Sequence, residues 1–525
     1  MPTRPTAVPL LTTRSRLRGR IAVAAALTGV LVAGGGVACT NIASAAAHPA
    51  PLTWTPCPAG TAGGQPLLPA LCTTLLVPLD YHHPYGAKTR LALAELPARD
   101  QAHKAGTLII DFGGPDVSGV TTLRDPAQHL SPVLRDRFDL VSFDPRGVGG
   151  STPDISCLSN SKLDAYYAAL RPPANAAQAA RLIRLNADFV SGCVKDLGAR
   201  LPSIGFDTTA RDIDQIRRAL GERQPNYLGL SGGGYIGTRY AELFSGRIRT
   251  MVLDSPINHS LDMGTFLLDE VGGFEREFNG FVSWCRTSGQ CAIHQADPKA
   301  GPAAVFDQLI KRADKHPVPA RGSDSRPVTG SDIRLTVLAA LQFGKRNYPI
   351  VGTVIQQVRA GDGTLTRAIS DSIARRNPDG TYSPFSGARR AEMCDSWPAP
   401  ATTVSGIQRL AYRAAKIAPR FGAARIWDWA PWCVGWPAVP DPVHTPTIRR
   451  PVNVVVIGTT GDPAAPYKWA AQIAGQIPGA VLVTNVGTTH TAFGIGRCQA
   501  IEDQYFISGI RPARGTTCPA TPAEL

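Results

Sequence analysis

The chain is poor in charge: 18% of its 525 residues are Asp, Glu, Lys or Arg, against 43% hydrophobic. That excludes a disordered, charge-swollen polymer, and the apolar share is too small for a multi-span membrane protein. There is no C-x-x-C and no pairing of Cys with His at zinc-ligand spacing, so neither a redox dithiol nor a zinc site is expected. A phosphate fingerprint is also missing. Gly147-Val148-Gly149 follows an apolar run, but Thr152 stands where the third glycine should be, which argues against a dinucleotide. No metal and no cofactor is expected. His82-His83 read as a surface pair. No internal repeat is visible, and no low-complexity tract beyond the leader.

Blocks of Lys and Arg are absent as well. The formal charge of +14 owes five positives to Arg4, Arg14, Arg16, Arg18 and Arg20, and the remaining 478 residues hold 49 basic against 40 acidic side chains. Nothing there tracks a nucleic-acid backbone. Residues 1–47 instead have the layout of a secretory signal: the basic start, an apolar stretch from Ile21 to Ala33, then Ala45-Ala46-Ala47. Thirteen apolar residues followed by Gly34-Gly35-Gly36 fall short of the roughly 20 needed to span a bilayer. Without an adjacent Arg pair the general secretory route is favoured over twin-arginine export. The expected location is outside the cell, with no stable membrane span; the lesser alternatives are an uncleaved anchor and a lipid attached to Cys39.

Eleven cysteines fit export, and ten remain once Cys39 is set aside. Pairing neighbours in sequence predicts Cys57 with Cys72, Cys157 with Cys193, Cys285 with Cys291, Cys394 with Cys433 and Cys498 with Cys518, although proximity alone does not determine connectivity.

From Leu91 onward, short β-rich runs alternate with helical patterns, the mark of a mostly parallel sheet wrapped by helices. Strand-like runs cover Leu108 to Asp111, Phe138 to Asp144, Tyr227 to Leu230, Arg249 to Asp254, Val452 to Ile457 and Val481 to Val486. Between them, Pro256 to about Arg450 has mostly helical periodicity and ends in Trp427, Trp429, Trp432, Trp436 and interspersed prolines. The expected organisation is a signal peptide (1–47), an α/β domain in two pieces (48–256 and 451–525), and a helical cap (257–450) inserted before the last strands.

The chemistry concentrates at strand ends. Gly229-Leu230-Ser231-Gly232-Gly233 is G-x-S-x-G between a strand and a helix, a turn that lifts a serine hydroxyl off the sheet edge. A serine hydroxyl is a poor nucleophile near neutral pH and requires a base, which in turn requires an orienting acid. Asp462 lies in the loop after the 452–457 run, and His490 is the sole histidine beyond it. The chain order Ser231, Asp462, His490 is the order this arrangement demands. Asp254, also at a strand end, is the rival acid. The oxyanion donors are expected to be the amides of Gly232 and Gly114, the latter in Gly113-Gly114-Pro115.

These residues resemble exported α/β-hydrolase fold serine peptidases of the actinobacterial tripeptidyl aminopeptidase type, related to proline iminopeptidases. The likeness runs from about Trp54 to Cys518. It rests on Gly113-Gly114-Pro115, Asp144-Pro145-Arg146-Gly147, Thr208-Thr209-Ala210-Arg211-Asp212, Gly229-Leu230-Ser231, Asp254, Cys394-Asp395, Trp432-Cys433-Val434-Gly435-Trp436-Pro437, Gly461-Asp462-Pro463, His490 and the Cys498 to Cys518 tail. The resemblance implies Ser231 as nucleophile, Asp462 as acid, His490 as base, a helical cap over the site, and release of short peptides from a free N-terminus. Three places depart from it: Gly232 stands where Tyr is usual, Asp116-Val117 replace glycines, and Thr489 and Thr491 flank His490 where Gly is common.

The same triad would also serve an esterase or lipase, and a silent envelope binding protein could retain the fold. An aminopeptidase needs a carboxylate for the substrate ammonium. Glu270, Glu275, Glu277, Glu392 and Asp395 are the cap candidates, with none preferred.

Overall fold

The computed structural model describes residues 52–322, 326–384, 386–437 and 442–520. The leader, with Cys39, lies outside them.

The central parallel strands form on short, mostly apolar runs that are buried along their whole length. β1 (Thr55–Pro56), β2 (Leu71–Pro78), β3 (Lys88–Leu96), β4 (Gly106–Asp111), β5 (Phe138–Phe143), β6 (Asn226–Leu230), β7 (Thr250–Asp254), β8 (Val454–Thr459), β9 (Val481–Asn485) and β10 (Thr517–Cys518) make one sheet. Its order is β1-β2-β3-β5-β4-β6-β7-β8-β9-β10. β1, β2 and β3 join antiparallel, as does β3 to β5, and the rest is parallel. Every residue of β5, β6, β7 and β8 is buried, because helices cover both faces of a parallel sheet. That is the α/β-hydrolase fold expected from the sequence.

The described residues form one compact unit. Between β7 and β8 the chain is helical, with helices at Met263–Cys285, Pro302–Lys315, Gly330–Leu341, Tyr348–Arg359, Thr364–Ile373, Ala388–Ser396, Val404–Ile417 and Gly422–Trp429. Helix Met263–Cys285 joins two apolar cores. Its first half packs Met263, Phe266, Leu267 and Val271 with the sheet-side cluster. The second half puts Phe274, Phe278, Phe281 and Val282 into a separate cluster with Phe306, Val337, Leu341 and Ile355. Helix Val404–Ile417 sides with the sheet through Ile407, Leu410 and Ala414. The insertion is thus half self-contained and half an outer layer of the α/β core.

All five expected disulfides are present: Cys57–Cys72, Cys157–Cys193, Cys285–Cys291, Cys394–Cys433 and Cys498–Cys518. Cys394 and Cys433 are 39 residues apart, so opening that bridge is expected to cost about 2–5 kcal/mol. Thermal unfolding of Cys394→Ser/Cys433→Ser reads this, and an unchanged melting temperature would contradict it. Among the described residues no helix is long and apolar enough to cross a membrane.

Candidate active site

Loops leaving β4, β6, β8 and β9 meet at the carboxyl edge of the parallel strands. The turn after β6 is the sharpest. Ser231 has φ 54 and ψ −112 and leads directly into helix Gly232–Phe244 without making a side-chain cap. A non-glycine residue in that region costs on the order of 1–3 kcal/mol, so the surrounding packing must enforce it. A Cβ on Gly229 would lie 2.3 Å from the Gly233 oxygen, and one on Gly233 would lie 2.5 Å from the Asp111 oxygen. The outer glycines of the motif are therefore required by backbone contact.

Gly114 and Gly232 are neighbours: a Cβ on Gly232 would sit 2.7 Å from the Gly114 oxygen and 3.3 Å from its nitrogen. No hydrogen bond among the described residues takes up either amide. Both lie beside the amino end of helix Gly232–Phe244, where the helix dipole favours negative charge. Asp111, not foreseen from the sequence, shapes this corner. Its carboxylate accepts the Gly113 amide at 2.9 Å, and burial pushes its acid up to about 6.

Asp462 and His490 meet directly. His490 Nδ1 lies 2.9 Å from Asp462 Oδ2 and 3.1 Å from Oδ1. Asp462 is 1% exposed, and its Oδ1 accepts the amides of Ala464 and Ala465, each at 2.9 Å. The backbone amide of His490 donates to the Gln342 carbonyl at 2.7 Å, so the end of an inserted helix holds the histidine loop. Burial alone would depress the imidazolium. The charge and hydrogen bond of Asp462, with Asp254 and Glu270, outweigh it and raise its pKa above the ordinary histidine value.

Asp254 has a different place. Its backbone carbonyl accepts the Ser231 amide at 2.9 Å, and its Oδ2 accepts the amides of Ala492 and Phe493, both at 2.8 Å. Thr491 N donates to the adjacent Ser255 Oγ at 3.2 Å. One strand end thus ties the serine turn to the histidine loop. Burial pushes the Asp254 acid up to about 7. Asn can keep both bonds at its oxygen, which has two lone pairs. Its amide nitrogen then takes the place of the buried Oδ1, which has no hydrogen-bond partner among the described residues, and the carboxylate charge acting on His490 is lost. Asp254→Asn is therefore expected to lower kcat by about 10–100-fold with a lower melting temperature. A loss as deep as that of Asp462→Asn would contradict this division of roles.

Two departures from the family pattern have glycine-like geometry. Asp116 stands at φ 65 and Thr491 at φ 71, so the left-handed turns persist without glycine. Arg375 and Arg389 bond the Asp116 carboxylate at 3.2 and 2.8 Å, tying the loop that follows Gly113-Gly114-Pro115 to the helical segment. Among the described residues, Glu242, His259 and His444 bring ligand atoms within 4.8 Å of one another. Arg239 donates to His444 Nε2 at 2.8 Å and also to Glu242, so a guanidinium already stands in the position a metal would need. His82 and His83 are exposed beside Asp80.

The chain matches the α/β-hydrolase fold family over residues 113–301 and the TAP-like protein family over residues 418–518. It is similar to serine protease Hip1 of Mycobacterium tuberculosis, 33% identical over 481 residues, covering 89% of this chain and 91% of that protein. Tripeptidyl aminopeptidase of Streptomyces lividans is 31% identical over 502 residues, 92% of this chain and 89% of the relative. Carboxylesterase B of Mycobacterium tuberculosis is 31% identical over 482 residues, 89% of each chain.

Proposed function

The chain belongs to the α/β-hydrolase family with a TAP-like carboxyl-terminal segment and is a serine hydrolase of the peptidase type, and from this premise we propose that it is an exported exopeptidase that releases short peptides, tripeptides by analogy, from free N-termini. Ser231 Oγ attacks the scissile carbonyl while His490 takes its proton. Asp462 holds the imidazole with Nδ1–H toward it and stabilises the cation. The amides of Gly232 and Gly114 bind the oxyanion. Collapse breaks the C–N bond as His490 returns the proton to the leaving amine, and a water then deacylates Ser231 by the same route. Residues 257–450 serve as the cap that surrounds the substrate. The observation that carries this reading is the 2.9 Å contact of His490 Nδ1 with Asp462 Oδ2, at the sheet edge where Ser231 turns.

Export is supported by five disulfides, which persist in oxidising compartments. Free-amine specificity needs a carboxylate with charge to spare. Glu270 and Glu275 are already held by Arg425 and Arg420 at 2.8 Å. Glu277, Glu392 and Asp395 bond no cation among the described residues, and burial pushes their acids up to about 7, about 8 and about 7. A bound ammonium would supply the missing charge there.

Acetylating the N-terminus of a good peptide substrate is expected to lower kcat/KM by at least about tenfold, roughly 1.4 kcal/mol. The second reading, an esterase, is favoured by the carboxylesterase B relative. Equal rates on free and acetylated peptides, or turnover of esters alone, would select it or an endopeptidase.

A further inference from the structure

Behind the serine turn, two buried carboxyl groups leave three oxygens without donors. Asp254 is 0% exposed and Glu502 1%. Asp254 Oδ2 accepts two amides, but its Oδ1 and both oxygens of Glu502 meet no hydrogen-bond partner among the described residues. Buried polar groups are seldom left so.

Helix and strand register bring the two side chains together. Helix Gly496–Ser508 packs on the sheet face that carries Val252, since Val252, Cys498, Tyr505 and Phe506 share one apolar cluster. Asp254 is two residues beyond Val252, so its side chain leaves the strand on that same face. Tyr505 Oη marks the level of Met251, whose amide it accepts at 3.0 Å. Cys498 marks the other end: its Sγ lies 3.7 Å from Oδ1 of Asn485, which stands two residues past Asp254 in sheet register. Glu502 falls between, three residues from Tyr505 and four from Cys498, on the same buried side. That is the level at which β7 ends in Asp254.

No cation bonds either carboxyl among the described residues. Arg249 is taken up by the carbonyls of Phe506 and Ile507 at the helix's far end, and Asp503, next to Glu502, bonds Ser131 and Gln499. Burial, then the charge of Asp254, then that of Asp503 hold the Glu502 acid well above the ordinary glutamate range. One proton on the pair removes the conflict, because it turns a Glu502 oxygen into a donor for which Asp254 Oδ1 is the acceptor.

We propose that Glu502 stays protonated and donates its O–H to Asp254 Oδ1, which makes it a positioning residue for His490. The neutral acid lets Asp254 remain a carboxylate. Its Oδ2 then keeps the amides of Ala492 and Phe493, and its charge acts on His490 beside those of Asp462 and Glu270. The positioning role rests on the reading of Ser231 and His490 as nucleophile and base, whereas the shared proton does not.

The test has two arms. The first is thermal unfolding of the mature wild type and Glu502→Gln from about pH 5 to about pH 8. A carboxyl whose pKa is raised by folding holds its proton more tightly when folded, so it costs stability as pH rises above about 4.3, the ordinary glutamate value. Glutamine escapes that loss and still offers Asp254 Oδ1 an N–H. The variant is expected to gain at least about 2 °C in melting temperature on the wild type across the range. A constant difference, or a variant that loses ground as pH rises, would mean an ionised Glu502 and overturns the shared proton. The second arm is the rate of fluorophosphonate reaction at Ser231 as a function of pH. Glu502→Leu, which has no donor, should slow it at least about fivefold and move its acid limb to lower pH, while Glu502→Gln stays within about twofold of the wild type. Should the leucine variant not fold, Glu502→Ala takes its place. A folded variant without a donor that reacts like the wild type overturns the positioning role. A wild type that takes up no label overturns that role and the triad reading together, and the melting arm still decides the proton.

Discussion

Replacing Ser231 with alanine is expected to lower kcat by about 10⁵–10⁶-fold while the melting temperature stays near that of the wild type. The fold is spared because alanine adopts φ 54 at about the cost serine does, and the Ser231 hydroxyl makes no cap bond to the following helix. His490→Ala should be nearly as severe, and the double variant little worse than either single one, since base and nucleophile act together in one proton transfer. Steady-state kinetics on a free-amine peptide measures all three. Multiplying losses in the double variant would mean that the two residues act in separate steps.

Asp462→Asn has the second largest expected effect, a fall in kcat of about 10⁴-fold. The carboxylate accepts Nδ1–H and so leaves Nε2 as the base. An amide can present N–H instead and stabilise the wrong tautomer. The sign of the pH dependence follows. The base works only when neutral, and its pKa is raised above the ordinary histidine value despite burial because Asp462 lies against it. kcat/KM should therefore rise with pH to a plateau, with its midpoint above about 6.5. In Asp462→Asn the limb should move to lower pH as that charge is removed. A limb that stayed in place would assign it to another group.

Much of this site was legible in the sequence because strand ends carry their own signals. Val454–Thr459 is a continuous β-branched run that breaks at glycine, and Gly229 and Gly233 are present because neighbouring carbonyls exclude a Cβ at 2.3 and 2.5 Å. The antiparallel pair Leu71–Pro78 and Lys88–Leu96 was less visible, since β2 mixes Thr and Pro into its apolar residues and alternates only in part. Helix Ala176–Leu197 carries a weaker sequence signal, because its buried face includes Asn186. That amide is buried because Tyr166 and Arg390 donate to it at 3.1 and 2.9 Å, partners far away in sequence.

Asp254 shows what sequence alone could not settle. As a carboxylate at a strand end it stands as the rival of Asp462, and three-dimensional contacts separate them. One aspartate faces His490 Nδ1, while the other accepts the amides of Ala492 and Phe493. The departures at Asp116 and Thr491 are similar. They look like losses of glycine in the sequence, yet the backbone retains φ 65 and φ 71 at those positions. Asp116 has two arginines to offset the strain, whereas a β-branched threonine at positive φ is the costlier replacement.

The central claim is that Ser231 is a nucleophile activated by His490, and reaction with a fluorophosphonate tests it most directly. Incubation of the folded enzyme should add one phosphonyl group per chain, and peptide mapping should locate it on Ser231. Labelling should disappear in Ser231→Ala and slow by orders of magnitude in His490→Ala. A folded enzyme that took up no label, or carried it on another residue, would contradict the account and favour a binding protein that has kept the fold without the chemistry.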